Sequence, residues 1–183
     1  MNACFILLVI SFGLGSAWHA SLNELCNERV VSTGARSMNC TARLDFSRTR
    51  IERDTFTSLA DIRVLYLQSN NITAIDRGAF DGLDSLRALD LSRNLIETVD
   101  EFTWNGPRSL SWLWLSWNKI VRIEANAFSG LDLIILDLSN NKLKGIESSA
   151  FDGLRSLSWL ILSGNELIIP DSSAFNGLSI EVL

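Results

Sequence analysis

Three tryptophans lie close together in the chain, at Trp112, Trp114 and Trp117. Tryptophan is enriched at interaction hot spots, and its indole face attracts cations and the C–H groups of sugars. Two carboxylates at equivalent positions of neighbouring segments, Asp90 and Asp137, can accept hydrogen bonds from such a ligand. These residue types therefore predict a binding site for a cationic or polyhydroxyl ligand.

Catalytic signals are lacking in the sequence. His19 is the only histidine, and there is no nucleophile elbow, phosphate loop or metal-ligand spacing. Paired carboxylates about 10 Å apart could resemble an inverting glycosidase. An open sheet, however, would neither exclude water nor distort a sugar. We therefore predict that the protein is not an enzyme and uses no cofactor and no metal.

A repeated pattern determines where these side chains lie. From residue 62 onward, five segments share the order apolar, two variable, Leu, one variable, Leu, two variable, Asn. Their asparagines are 24, 24, 23 and 24 residues apart, at Asn70, Asn94, Asn118, Asn141 and Asn165. A regular period in this range indicates a solenoid whose stacked copies share one core. Leucines two apart on a strand face inward, so the residues between and beside them face outward.

The outward positions form columns across the predicted sheet. One column contains Arg43, Val64, Ala88, Trp112, Ile135, Trp159 and Val182, and the next contains Asp45, Tyr66, Asp90, Trp114, Asp137 and Ile161. Adjacent strands are about 4.8 Å apart, so Asp90 and Asp137 should lie roughly 10 Å apart on either side of Trp114. The predicted ligand-binding residues are Trp112, Trp114, Trp117, Asp90, Asp137, Trp159, Tyr66 and Asp45. The alternative is that the three indoles only stack on one another and on Ile135 and Trp159, and that Leu-Asp-Leu-Ser is an ordinary strand sequence.

Two further series predict internal structure. The asparagines should form a ladder that satisfies backbone groups at the strand ends. An aromatic series should pack as a spine along the back of the solenoid, and it comprises Phe56, Phe80, Trp104, Phe128, Phe151 and Phe175.

The motif Leu-Xaa-Xaa-Leu-Xaa-Leu-Xaa-Xaa-Asn, with Gly-Leu endings such as Gly82-Leu83 and Gly130-Leu131, resembles the extracellular leucine-rich repeat family. Residues 26–183 are most similar to variable lymphocyte receptor-like proteins, and they also resemble the repeats of Slit proteins and Toll-like receptor ectodomains. The resemblance implies an α/β solenoid, a right-handed arc with a parallel β-sheet on its concave face and an irregular or 3-10 convex side. Variable lymphocyte receptors bind antigens on the concave strands. This chain departs from them in its two cap cysteines and in lacking their carboxy-terminal cap and stalk.

Both ends of the chain differ from the repeats. Residues 1–17 are predicted to be a signal peptide, because an apolar run is followed by Gly15-Ser16-Ala17. Residues 18–61 should form an amino-terminal cap with a degenerate repeat, and residues 62–179 should form five repeats. Residues 180–183 should begin a truncated repeat.

Secretory modifications follow from the predicted signal peptide. Cys26 and Cys40 should form a disulfide that contributes about 3 kcal/mol, although two free thiols remain the alternative. The sequons that begin at Asn39 and Asn71 predict glycosylation.

The charge and composition of the chain limit the classes of partner that we expect. The net charge of −5 and the isoelectric point of about 4.9 argue against nucleic acid and anionic lipid. We expect a secreted, extracellular recognition protein of innate immunity without a membrane span, which binds a microbial surface polymer or a protein antigen. The alternative is a matrix or guidance-type adhesion protein that binds a host protein. A homodimer could form through the concave face or the bare carboxy-terminal edge.

Overall fold

The structure, a computed structural model, describes residues 27–30, 36–39, 49–168, 172–176, 178 and 181–182. Short strands joined by turns make up most of it, together with two 3-10 segments at Thr57–Leu59 and Ser172–Phe175. Within the described residues, no helix has both the length and the apolar character needed to cross a lipid bilayer.

In the described part of the chain, twelve strands, numbered in chain order, form one large and two small sheets. They are β1 (Asn27–Val30), β2 (Arg36–Asn39), β3 (Thr49–Ile51), β4 (Ile62–Tyr66), β5 (Ile72–Ile75), β6 (Ala88–Asp90), β7 (Thr98–Val99), β8 (Trp112–Trp114), β9 (Arg122–Ile123), β10 (Ile135–Asp137), β11 (Trp159–Ile161) and β12 (Glu181–Val182). The large sheet has the order β1-β2-β4-β6-β8-β10-β11-β12. Its β1–β2 pair is antiparallel, and its other neighbours are parallel and one turn of the chain apart. The pairs β3–β5 and β7–β9 form the small sheets.

The repeated leucines form the core, as the pattern predicts. Leu89 pairs with Leu113, and Leu113 pairs with Leu136, so equivalent leucines lie side by side in successive strands. All three are completely buried, and the full burial of one such side chain contributes roughly 1.5–3 kcal/mol. Because every turn shares its leucines with both neighbours, the core is continuous along the solenoid.

The predicted asparagine ladder is confirmed. Asn118 Nδ2 donates to the carbonyl oxygens of Leu91 and Leu115, each at 3.0 Å, and its Oδ1 accepts a hydrogen bond from the Ile96 N–H at 3.0 Å. Asn94, Asn141 and Asn165 make equivalent bonds in their own turns. Each amide therefore joins two adjacent turns and leaves few polar backbone groups unpaired at the buried strand ends.

The predicted aromatic spine is also confirmed, and its spacing explains why the solenoid curves. Successive rings from Phe56 to Phe175 stack with centroids 5.7–6.4 Å apart. Hydrogen-bonded strands are only about 4.8 Å apart. Since each turn is thicker at the spine than at the sheet, the stack bends with the large sheet on the inner, concave side.

The structure corrects two expected positions at the ends of the sheet. Asn39 of β2 lies opposite Tyr66, where Asp45 was expected, because the β1–β2 hairpin supplies the strand that pairs with β4. At the other end, Glu181 rather than Val182 lies opposite Trp159. The interval there is 22 residues, one fewer than the repeat period predicts, and a one-residue shift exchanges the two faces of a strand.

Candidate functional site

The parallel register brings the predicted aromatic and acidic residues together on the large sheet. Along one row the neighbours are Ala88, Trp112, Ile135 and Trp159, and along the next they are Tyr66, Asp90, Trp114, Asp137 and Ile161. Asp90 and Asp137 therefore flank Trp114, as the repeat predicted. We call Trp112, Trp114, Trp159, Asp90 and Asp137 the tryptophan face.

The indoles of the tryptophan face remain open to solvent. Trp159 is 51% exposed, and Trp112 and Trp114 are half-buried, whereas Leu113 between them is completely buried. Among the described residues, the ring–ring stacks all belong to the aromatic spine, so the alternative of indoles that stack on one another is not seen. A cluster of exposed aromatic side chains on a folded surface usually marks a binding site.

The carboxylates of Asp90 and Asp137 are half-buried, and each accepts a backbone hydrogen bond. Asp90 Oδ1 accepts a hydrogen bond from the Ser92 N–H, and Asp137 Oδ1 accepts one from the Ser139 N–H, both at 2.9 Å. These bonds fix the carboxylates beside Trp114. No described residue donates to either Oδ2, so one acceptor of each carboxylate remains available to a ligand hydroxyl or amine.

Trp117 lies beyond β8, at the edge of the tryptophan face, and its backbone is left-handed with φ of 57°. The same position is left-handed in the other turns, at Ser69, Arg93, Asn140 and Gly164. A bulky aromatic residue rarely adopts this conformation, which costs of order 1–2 kcal/mol. The side chain is 53% exposed, and the Arg93 guanidinium lies 5.3 Å from the centre of its ring.

Arg93 is a further functional candidate, and its contact with the Trp117 ring is the feature that the sequence reasoning did not predict. It precedes Asn94 as Trp117 precedes Asn118, so the repeat contained the signal that the two side chains are neighbours. A guanidinium over an indole face is a favourable cation–π pair worth about 0.5–1 kcal/mol at an exposed site. The pair gives the edge of the tryptophan face an oriented positive group.

The remaining predicted site residues are distributed elsewhere. Asp45, Cys26 and Cys40 lie outside the described residues, and Asn39 is in β2. Asn71 lies beyond the end of β4 and is half-buried, and Thr73 of the same sequon is exposed. Among the described residues, no group of three or more His, Cys, Asp or Glu side chains could hold a metal ion.

Comparisons with known proteins agree with this architecture. A family model described as leucine rich repeat matches residues 47–96, 85–134 and 108–167. No match was found among curated proteins. The chain is similar to the Toll-like receptor TLR13 in the crystal structure of its complex with ssRNA13, with 32% sequence identity and a TM-score of 0.69. The match covers 72% of this chain and 19% of the receptor chain, so the chain spans about a fifth of the receptor's length.

Proposed function

The chain belongs to the leucine-rich repeat family, and from this we propose that it is a recognition protein whose ligand binds on the tryptophan face. One observation carries the proposal: the indoles of Trp112, Trp114 and Trp159 point out from the inner side of the arc, where no described ring covers them. Their burial by a ligand would be favourable, and Trp is a frequent hot-spot residue. This arrangement supports the role of a binding scaffold rather than that of an enzyme.

A microbial surface component is the ligand that we favour, with a protein antigen as the second choice, in a role in innate immunity. The support is the similarity to TLR13 together with the chemistry of the site. Indoles present flat apolar surfaces to sugar rings, and Oδ2 of Asp90 and of Asp137 can accept hydrogen bonds from hydroxyls or amines. A matrix or guidance-type adhesion protein that binds a host protein would use the same face and remains the alternative.

Nucleic acid is a further ligand class to consider for the tryptophan face, because TLR13 was crystallised with ssRNA13. A net charge of −5 does not exclude RNA when a similar solenoid is found in complex with it. The local charges are more informative than the total. Asp90 and Asp137 lie on both sides of Trp114, and they would repel the phosphates of a strand that stacked its bases there. We therefore propose that the tryptophan face does not bind nucleic acid.

The test is a pull-down of bacterial cells and purified wall polymers with the wild type and with Trp114→Ala, Asp90→Ala and Asp137→Ala. Phe102→Ala is a matched control, because Phe102 is an exposed aromatic residue that lies outside the tryptophan face, under the Arg77 guanidinium. We expect Trp114→Ala to weaken binding roughly tenfold or more, and each Asp variant to weaken it severalfold. The control should bind like the wild type.

Equal binding by all five proteins would exclude the tryptophan face as the site. Binding to host matrix proteins without binding to microbes would support the adhesion alternative. Retention of single-stranded RNA that is lost in Trp114→Ala would overturn the proposed exclusion of nucleic acid.

Secretion, with a signal peptide at residues 1–17, is part of the same proposal. Asn27 lies opposite Asn39 in an antiparallel pair, and each is next in sequence to a cysteine. This register supports the proposed disulfide between Cys26 and Cys40, which themselves lie outside the described residues. Expression of the full chain in secreting cells tests this. The intact mass of the secreted product, with and without reductant and glycosidase, reports cleavage, the disulfide and glycans at Asn71 or Asn39.

A further inference from the structure

A second cluster of charges, all of them cationic, lies in the segments that follow the strands β6, β8 and β10 of the tryptophan face. It consists of Arg93, Lys119, Lys142 and Lys144, and it includes every lysine of the chain. Backbone hydrogen bonds hold these residues in adjacent turns, for example Lys119 N–H to the Ile96 carbonyl and Lys142 N–H to the Ile120 carbonyl, both at 2.9 Å. We call these four residues the cationic rim.

The cationic rim is available to a ligand. All four side chains are exposed, and none forms an ion pair with another described residue. Two exposed acids lie in the same flank, Glu97 in the turn of Arg93 and Glu166 in the turn that follows Lys142 and Lys144, so the four cations outnumber these acids. In a chain with net charge −5, this is a local reversal of sign.

Arg93 is the most oriented member of the cationic rim. Its guanidinium lies over the Trp117 ring, which restricts the side chain while leaving its N–H groups free for an acceptor. A planar guanidinium binds carboxylate or phosphate through two parallel hydrogen bonds, which a lysine cannot do. Trp117 follows Trp114 by three residues, which span at most about 10 Å of chain, so one ligand can reach both surfaces.

The inference rests on the proposed function of the tryptophan face. We propose that the ligand is an acidic polysaccharide, whose sugar rings lie on the tryptophan face and whose carboxylates bind the cationic rim. The hydroxyls of a sugar suit the free Oδ2 atoms of Asp90 and Asp137, and the acidic substituents suit Arg93 and the lysines. A nucleic acid would satisfy the cationic rim but would bring phosphates to the two carboxylates.

Galacturonate oligomers and their methyl esters provide the test, because the two share a sugar chain and differ in charge. Binding of each is measured by calorimetry for the wild type, Arg93→Gln and the double variant Lys119→Gln/Lys142→Gln. Arg87→Gln is the matched control, since Arg87 is an exposed arginine of the same turn at the opposite end of its strand. We expect the wild type to prefer the acid form, and we expect roughly a two- to fivefold loss of that preference per cation removed. Added salt should reduce the preference, and the control should keep it.

The outcomes separate this inference from the function on which it rests. Equal affinity of the wild type for acid and ester forms would overturn the role of the cationic rim while leaving the tryptophan face intact. Failure to bind either form would overturn the acidic polysaccharide as the ligand, and the microbial pull-down would then decide whether the tryptophan face binds anything else. Binding of single-stranded RNA in place of the oligomers, with loss in Arg93→Gln, would also overturn it.

Discussion

At the residue scale, the left-handed residue before each ladder asparagine is the most informative detail of the structure. Ser, Arg, Trp, Asn and Gly occupy this position in the five turns, and all have positive φ. The conformation is therefore imposed by the fold and is independent of the side chain. Glycine is the residue that adopts it without steric cost. Trp117 is the least suitable of the five, so its presence there indicates a role for the exposed indole.

We predict that Trp117→Gly is more stable than Trp117→Ala by about 1 kcal/mol, because both remove the indole and only glycine relieves the left-handed strain. Chemical denaturation of the two variants measures this difference. The same pair of substitutions at Ser111, which has no positive φ, is the control and should show glycine to be the less stable residue. Equal stability of the two Trp117 variants would show that the backbone there is unstrained.

The orientation of individual side chains was predictable where alternation alone decides it. Trp112 and Trp114 were correctly predicted to lie on the side of the strand that faces away from the core, because side chains of a strand alternate. Asp90 and Asp137 were correctly predicted to lie on either side of Trp114. The bond from Ser92 N–H to Asp90 and the pairing of Arg93 with Trp117 were not predicted. The repeat makes Arg93 and Trp117 neighbours, but the two contacts depend on how the side chains are oriented after the strand, which the repeat pattern does not specify.

At the element scale, the second turn departs from the others because Trp104 and Pro107 replace the usual Phe and Leu. Trp104 keeps its place in the stack, but its Nε1 is buried and has no hydrogen-bond partner among the described residues. The following Gly106 has φ of 124°, and a Cβ there would come within 2.4 Å of the Phe80 carbonyl oxygen. The wider ring of Trp104 and the close approach of Gly106 are parts of one local adjustment.

This geometry predicts that Gly106→Ala is clearly more destabilising than Gly130→Ala. Gly130 occupies the equivalent place one turn later with φ of 83°, but a Cβ there would meet no atom within 4 Å. We expect about 1 kcal/mol for Gly130→Ala from backbone strain alone, and at least 2 kcal/mol more for Gly106→Ala from the clash with backbone atoms. Thermal or urea unfolding of the two variants provides the comparison. Similar losses in both would mean that the turns at Trp104 and Phe128 are equally tolerant.

The elements themselves were predictable to different degrees along the chain. The large-sheet strands between Ile62 and Ile161 follow the repeat, because each contains an inward leucine that must share the core. At the terminal strands, Asn39 and Glu181 occupy the pairing positions that were expected for Asp45 and Val182. There the residues do not repeat the pattern closely enough to fix the register, and pairing with the neighbouring strand decides it.

At the scale of the whole molecule, two spacings determine where a ligand can bind. Rings about 6 Å apart along the spine and strands about 4.8 Å apart in the sheet require an arc with the sheet inside. The regular period was sufficient to predict this architecture, since a solenoid is defined by its nearest-neighbour contacts. The ligand was not predictable in the same way, because outward residues contribute little to folding and so their types follow no structural rule.

The central claim is that the indoles of the tryptophan face are open in the free protein and covered in the complex. Hydroxyl-radical footprinting with mass spectrometry tests it most directly, on the free protein and on protein bound to the wall polymer that it retains. In the free protein, Trp159 and Trp117 should be modified fastest, Trp112 and Trp114 more slowly, and buried Trp104 least. The bound polymer should protect Trp112, Trp114 and Trp159 and leave the exposed Phe102 unchanged. The account would be contradicted if binding left the modification rates of those three indoles unchanged. It would also be contradicted if, in the free protein, they were modified as slowly as Trp104.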